Sequence, residues 1–181
     1  MASHYLNNMV EGMMQINNPL FTAFHKDHAT LGRGFFDLRA ALLRGSIEEG
    51  QQLAHSIDIN AGAHIAFEEH DFYPALHPFL SRSEIDDIYK DHEAGAALID
   101  ELLKLDPKKK MSKAMIDKFI QRIDVFEAHI ADCGQLFGVM GNLSREEQSR
   151  LLGQLQMWRK QHPTWRDVSE VAKAARDESS T

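Results

Sequence analysis

Histidines are the side chains whose spacing in this sequence most constrains its chemistry. Ten are present, and four of them keep register. The pair Asp27-His28 recurs 64 residues on as Asp91-His92, and the run from His64 through Glu68 to Phe72 recurs 65 residues on as His129 through Cys133 to Phe137. Within the first run, His64 and Glu68 stand four apart, about 40° around a helix and about 6 Å along it, so both can reach one ion. Imidazoles with a carboxylate form an N/O donor set that takes iron, zinc or manganese. A lone histidine is usually a structural residue satisfied by one hydrogen bond. Four in register with a buried carboxylate would cost on the order of several kcal/mol without a cation to balance them, which points to a bound metal.

Long helices must carry these residues. Period-2 alternation is absent, and apolar residues recur at steps of three and four almost throughout, so the expected class is all-α. Four long segments are predicted: about Phe21 to Leu43, ending near Arg44-Gly45; Ser46 to around Tyr73-Pro74 or shortly after; Ser81 to about Leu105, halted by Asp106-Pro107; and about Met111 to Phe137, broken by Gly138 and Gly141. Ser46 with Glu49, Ser81 with Glu84 and Ser144 with Glu147 read as capping boxes. The last opens a fifth helix to Lys160, and Trp165 to Ala175 is a candidate sixth before a polar tail, 178–181. Short connections make the main segments antiparallel, in an up-down-up-down four-helix bundle. The duplicated histidine pattern then implies two helical hairpins about a pseudo-two-fold axis, each helix delivering one histidine to the centre.

Composition narrows the function. The chain has 181 residues, 43% of them hydrophobic, enough for one core, so a single domain over 1–181 is expected, with the bundle at 21–140 and an extension at 141–181. A formal charge of −7 disfavours nucleic acid and acidic lipid as partners. The one dense basic run, Lys108 to Lys110, reads as a solvated turn. A single cysteine, Cys133, forms no internal disulfide and suits a reducing compartment. The opening residues lack the pattern of a secretory signal and no stretch is long and apolar enough to span a membrane, so the expected location is the cytoplasm.

The run His64-x3-Glu68-Glu69-x2-Phe72-Tyr73-Pro74 resembles the H-x3-E-E-x2-L-F-P motif of the bacterial hemerythrin-like (HHE) cation-binding domains, and Asp27-His28 and Asp91-His92 resemble the family's D/E-H pairs. The resemblance spans roughly Phe21 to Met140. It implies a hemerythrin-like bundle around a non-haem di-iron centre, with His28, His64, Glu68, His92 and His129 as ligands. The sixth ligand does not carry over: the family's second Glu is Cys133 here, followed by Gly134. Three readings of this gap stand side by side: Cys133 is itself a ligand, Asp132 takes over the bridge from the preceding position, or the site is degenerate and holds one metal or none. His25, three residues before His28, is a spare ligand or an exposed residue. His55, His70 and His77 fall off the ligand face.

The resemblance implies iron, with zinc or manganese as substitutes. The apolar interior expected from Phe24, Phe35, Phe67, Phe72, Phe126 and Phe137 suits binding of O₂ or nitric oxide by a carrier or sensor of O₂ or redox state more than a catalyst. A second reading is a metal-poor interaction module, with Met157, Trp158 and Trp165 covering the bundle or forming a homodimer surface. A third, an iron–sulfur cluster repair or nitric-oxide-responsive protein, is weakened because those relatives usually add a cysteine-bearing N-terminal segment. The Glu-x-x-His pairs of ferritin-like oxygenases are missing from the places they would need to occupy.

Overall fold

The structure is a computed structural model that describes residues 18–170, apart from the side chains at 133–135 and 137. The side chains of Cys133 and Phe137, the helix expected beyond 170 and the tail at 178–181 therefore lie outside the described residues. Helix α1 spans Pro19–Leu43 and α2 spans Ile47–Phe67; α2 continues through a π-helical turn, Glu68–Phe72, into α3, Tyr73–Leu76. Then follow α4 at Arg82–Leu103, α5 at Lys113–Met140 and α6 at Arg145–Gln161, with 165–170 again helical. No strand occurs among the described residues.

Local chemistry explains the ends. α1 begins two residues earlier than expected, because the Asn18 side chain accepts from the Leu20 N–H at 2.9 Å and Pro19 takes a first-turn position where its missing N–H costs nothing. Gly45, with φ +75, turns the chain out of α1. Of the three expected capping boxes only Ser81/Glu84 is reciprocal. Ser46 and Ser144 accept from the N–H groups of Glu49 and Glu147, but those carboxylates turn to Arg44 and Arg150. Gly138 does not break α5, which runs on to Met140. The second segment ends at Leu76, shortly after Pro74 as expected, but it is not a plain α-helix throughout. In an α-helix that proline would meet the carbonyl of His70; the chain widens instead, and the Tyr73 N–H bonds the Glu68 carbonyl.

α1 packs on α2 and α5, α2 on α4, and α4 on α5, which closes a ring of four helices. Two apolar clusters fill it. One gathers Leu31, Phe35, Leu38, Leu42, Ile57, Phe119, Ile123 and Phe126, the other Leu20, Phe24, Phe67, Phe72, Leu76, Ile85 and Met140. Burying each such side chain contributes about 1.5–3 kcal/mol. Between the clusters lies a buried polar layer of histidines and carboxylates.

α6 lies against α2 and α1 and buries Leu151 and Leu155. His162, at φ 51, turns the chain so that Trp165 enters the bundle beside Phe35 and Phe126. Two glycines make the seat: a Cβ on Gly95 would lie 2.3 Å from the Trp165 ring, and one on Gly62 would lie 1.9 Å from the Pro163 carbonyl oxygen. Arg166 fastens the segment by bonding the fully buried Asp58 through both its backbone N–H and its guanidinium.

Candidate metal centre

His28 of α1 and His64 of α2 form one half of the polar layer. The His28 Nδ1–H donates to the Phe24 carbonyl at 3.0 Å, and His64 Nδ1 faces Asp27 Oδ2 at 3.3 Å. Each imidazole is thereby turned so that Nε2 points toward Glu68: Oε1 is 3.3 Å from His64 Nε2 and 3.8 Å from His28 Nε2. Ligand atoms of His28, His64 and Glu68 all lie within 4.8 Å of one another. Phe24 covers both rings, at centroid distances of 4.5 and 4.9 Å.

The other half uses the second oxygen of the same carboxylate. His92 Nε2 lies 3.3 Å from Glu68 Oε2, while its Nδ1 faces Glu69 Oε1 at 3.0 Å. His129 Nδ1 faces Asp91 Oδ2 at 3.1 Å, and its ring stands 5.1 Å from that of His92. Tyr73 Oη approaches His92 Nε2 at 3.4 Å. The aspartates obey the repeat: the residue before each first-helix histidine orients the histidine of the next helix, Asp27 for His64 and Asp91 for His129. Carboxylates behind metal-ligating imidazoles do this work of fixing tautomer and ring orientation.

Burial and neighbouring charges pull the titratable groups of the layer in opposite directions. Burial favours neutral imidazoles at His64 and His92, but Glu68 with Asp27 outweighs it at the first, and Glu68 with Glu69 at the second, raising each to about 9. Burial works against the Glu68 carboxylate too, yet the two imidazoles hold it well below the usual carboxylate range. Burial, then the neighbouring His64, lowers His28 to about 4; burial and His92 lower His129. In each half, then, the surroundings favour the proton on one imidazole and disfavour it on the other, around a shared carboxylate.

A cation fits these residues better than the protons do. His64 Nε2 and Glu68 Oε1 are buried without a hydrogen-bond partner, facing each other at 3.3 Å in poor alignment, and a buried polar atom left this way is costly. A metal ion would take both lone pairs, and the donor set suits iron, zinc or manganese.

Of the residues singled out from sequence, His28, His64, Glu68, His92 and His129 come together in this layer and all are buried. Asp132 is exposed, which corrects the reading that it replaces the lost bridge: one position before 133, it turns about 100° around α5 and faces solvent. His25 is exposed as well, as are His55 and His77, and His70 stacks on Trp158 at the surface. Sequence reasoning missed the cross-helix roles of Asp27 and Asp91, although their matched offset was a signal, and the contact of Glu69 with His92. It also missed Arg159, whose guanidinium bonds both oxygens of Asp27 at 2.7 Å and ties α6 to the first half. No local pattern marks that arginine.

A helical bundle with a buried imidazole–carboxylate layer defines a class of cation-binding proteins. The model of the hemerythrin HHE cation-binding domain matches residues 20–137, more than half of the chain, and the chain belongs to that family. No curated protein and no solved structure matched it. Among the described residues no helix is long and apolar enough to cross a membrane.

Proposed function

We propose that this chain is a non-haem di-iron protein that binds O₂, or senses redox state through it, as a carrier or sensor and not a catalyst. The observation that carries this reading is the position of Glu68, which presents Oε1 to the His28/His64 pair and Oε2 to His92. A carboxylate so placed suits two cations, one per half, and doubles as their shared counter-charge. His28, His64 and Glu68 would hold the first; His92, His129 and Glu68 the second. Iron held there would supply the redox chemistry for reversible O₂ binding or for signalling by oxidation.

The surroundings support the same reading. Phe24, Phe67 and Phe72, all fully buried, form an aromatic cluster with Phe24 against His28 and His64, and Phe126 stacks on His129 at 5.1 Å. A cleft of about 610 Å³ between α1 and α5, lined by His25, His28, Gly32, Arg33, Phe36 and Ile130 among others, offers a small molecule a way from solvent to the edge of His28. Among the described residues the extension packs on the bundle through Trp165, against Phe35 and Phe126, and through Arg166, bonded to Asp58.

The experiment is anaerobic loading with ferrous iron followed by exposure to O₂. The expected result is near-ultraviolet charge-transfer absorption that appears with O₂ and disappears on evacuation or mild reduction. Two irons per chain with no spectral response to O₂, nitric oxide or redox mediators would refute the sensor or carrier reading while leaving the metal site.

A further inference from the structure

Taking the layer to be an iron centre, as proposed above, we infer that Tyr73 is a further ligand, its phenolate oxygen serving the His92/His129 half. Tyr73 is fully buried, and its Oη lies 3.4 Å from His92 Nε2, the nitrogen that also faces Glu68 Oε2 at 3.3 Å. Two donors bound to one ion at about 2.0–2.2 Å, with a right angle or somewhat more between them, lie roughly 3–3.5 Å apart. Both separations are those of neighbouring ligands.

The backbone explains how a tyrosine arrives there. In an uninterrupted α-helix, the residue one turn beyond Glu68 is Phe72. The π turn bonds the Tyr73 N–H to the Glu68 carbonyl, so the residue one turn on is Tyr73 instead. Pro74, next in the chain, is what an α-helix could not accommodate at this point. A phenolic oxygen thus comes to the same side as the bridging carboxylate.

The duplication shows that the feature is one-sided. The 65-residue offset that pairs His64 with His129 pairs Tyr73 with Gly138, so no equivalent phenol exists in the second copy. The same offset pairs Glu68 with Cys133, where the second copy lacks a carboxylate. A phenolate is a hard anionic oxygen donor and a known iron ligand, of the kind that replaces a missing carboxylate in charge and in donor type. On binding, the phenol proton is exchanged for the cation and leaves to solvent.

The test is visible absorption and resonance Raman spectroscopy of the full chain loaded with ferric iron, with iron counted in the same sample. Ferric phenolate absorbs in the visible, where imidazole and carboxylate complexes of iron give no comparable ring-mode enhancement. The expected result is a visible band with enhanced tyrosine ring modes, lost in Tyr73→Phe and kept in Tyr89→Phe, with iron leaving the Tyr73→Phe chain at least about 10-fold faster. Should Tyr73→Phe fail to fold, ring-deuterated tyrosine in the unaltered chain decides the matter, because the enhanced modes must shift. Bound iron with no such band, or a band that survives Tyr73→Phe, overturns the inference and spares the iron centre. A chain that takes up no iron overturns both.

Discussion

The His28/His64 half and the His92/His129 half descend from one repeated pattern, yet they are finished differently. In the first, Asp27 is held by Arg159 from α6 and its side chain is only 20% exposed, so His64 is steered by a carboxylate that is itself fixed. In the second, Asp91 steers His129 with a side chain 40% exposed and no cation bonded to it among the described residues, while Glu69 and Tyr73 crowd His92 from the other side. One half is set from outside by an added helix; the other is set from inside by the π turn. A duplicated scaffold can therefore keep its histidine positions while its two halves diverge in rigidity and donor character.

Removing what the halves share should have the largest effect. Glu68→Ala takes an oxygen from both, and the expected loss of metal affinity exceeds the roughly 10–100-fold that outer partners alone can cost. Metal analysis after gel filtration would read this as less than one ion per chain. Retention of two would mean that the carboxylate is not shared.

The supporting aspartates separate the halves. Asp27→Asn and Asp91→Asn should each weaken one of two binding steps by about 10–100-fold and leave the other step in place, as read by competitive titration with a chelator. If both substitutions weaken the same step, the halves are not independent positions.

Proton competition gives the next effect. His64 and His92 are raised to about 9 from 6.5. Their contribution to the stability of the metal-free chain is fully present below about 6.5 and is lost as pH rises through about 9. His28 behaves oppositely: it is lowered to about 4, so the unfolded chain takes up the proton first and stability falls as pH drops from 6.5 toward 4. Glu68, held low, contributes above the ordinary carboxylate pKa and loses that contribution in acid. The metal-free chain should be most stable near pH 6.5. Metal must displace one proton per half, so affinity should rise up to about tenfold per pH unit in each half between pH 6.5 and 9. Thermal melts with and without chelator across this range should show a widening gap; a gap that narrows with pH contradicts the assignment of protonated His64 and His92.

The smallest effect expected is that of Arg159→Ala. A partly exposed ion pair contributes up to about 1 kcal/mol, so the first half should bind about two- to fivefold more weakly while the second is untouched. Equal weakening of both halves would show that α6 acts on the whole bundle and not through Asp27.

Much of this was legible in the sequence, and the reasons are local. The capping serines mark where α2, α4 and α6 start because they satisfy backbone groups within three residues. The four histidines and Glu68 are legible because the helical period and the repeat place them on facing stripes. What was not legible depends on contacts across the fold. Pro74 marks the end of the second segment to within two residues, yet nothing local announces the π turn that precedes it. The seat of Trp165 needs Gly62 and Gly95, each about 70 or more residues away in sequence, and nothing near the tryptophan announces them. Asp132 lies one position from the repeat's ligand register, and only packing shows that it faces solvent.

The most direct test is the metal content of the unaltered chain after anaerobic reconstitution with ferrous iron and removal of excess. Two iron atoms per chain, with a melting temperature that falls on chelation, is the predicted result. No transition metal retained, together with a melting temperature that chelator leaves unmoved, would contradict the account.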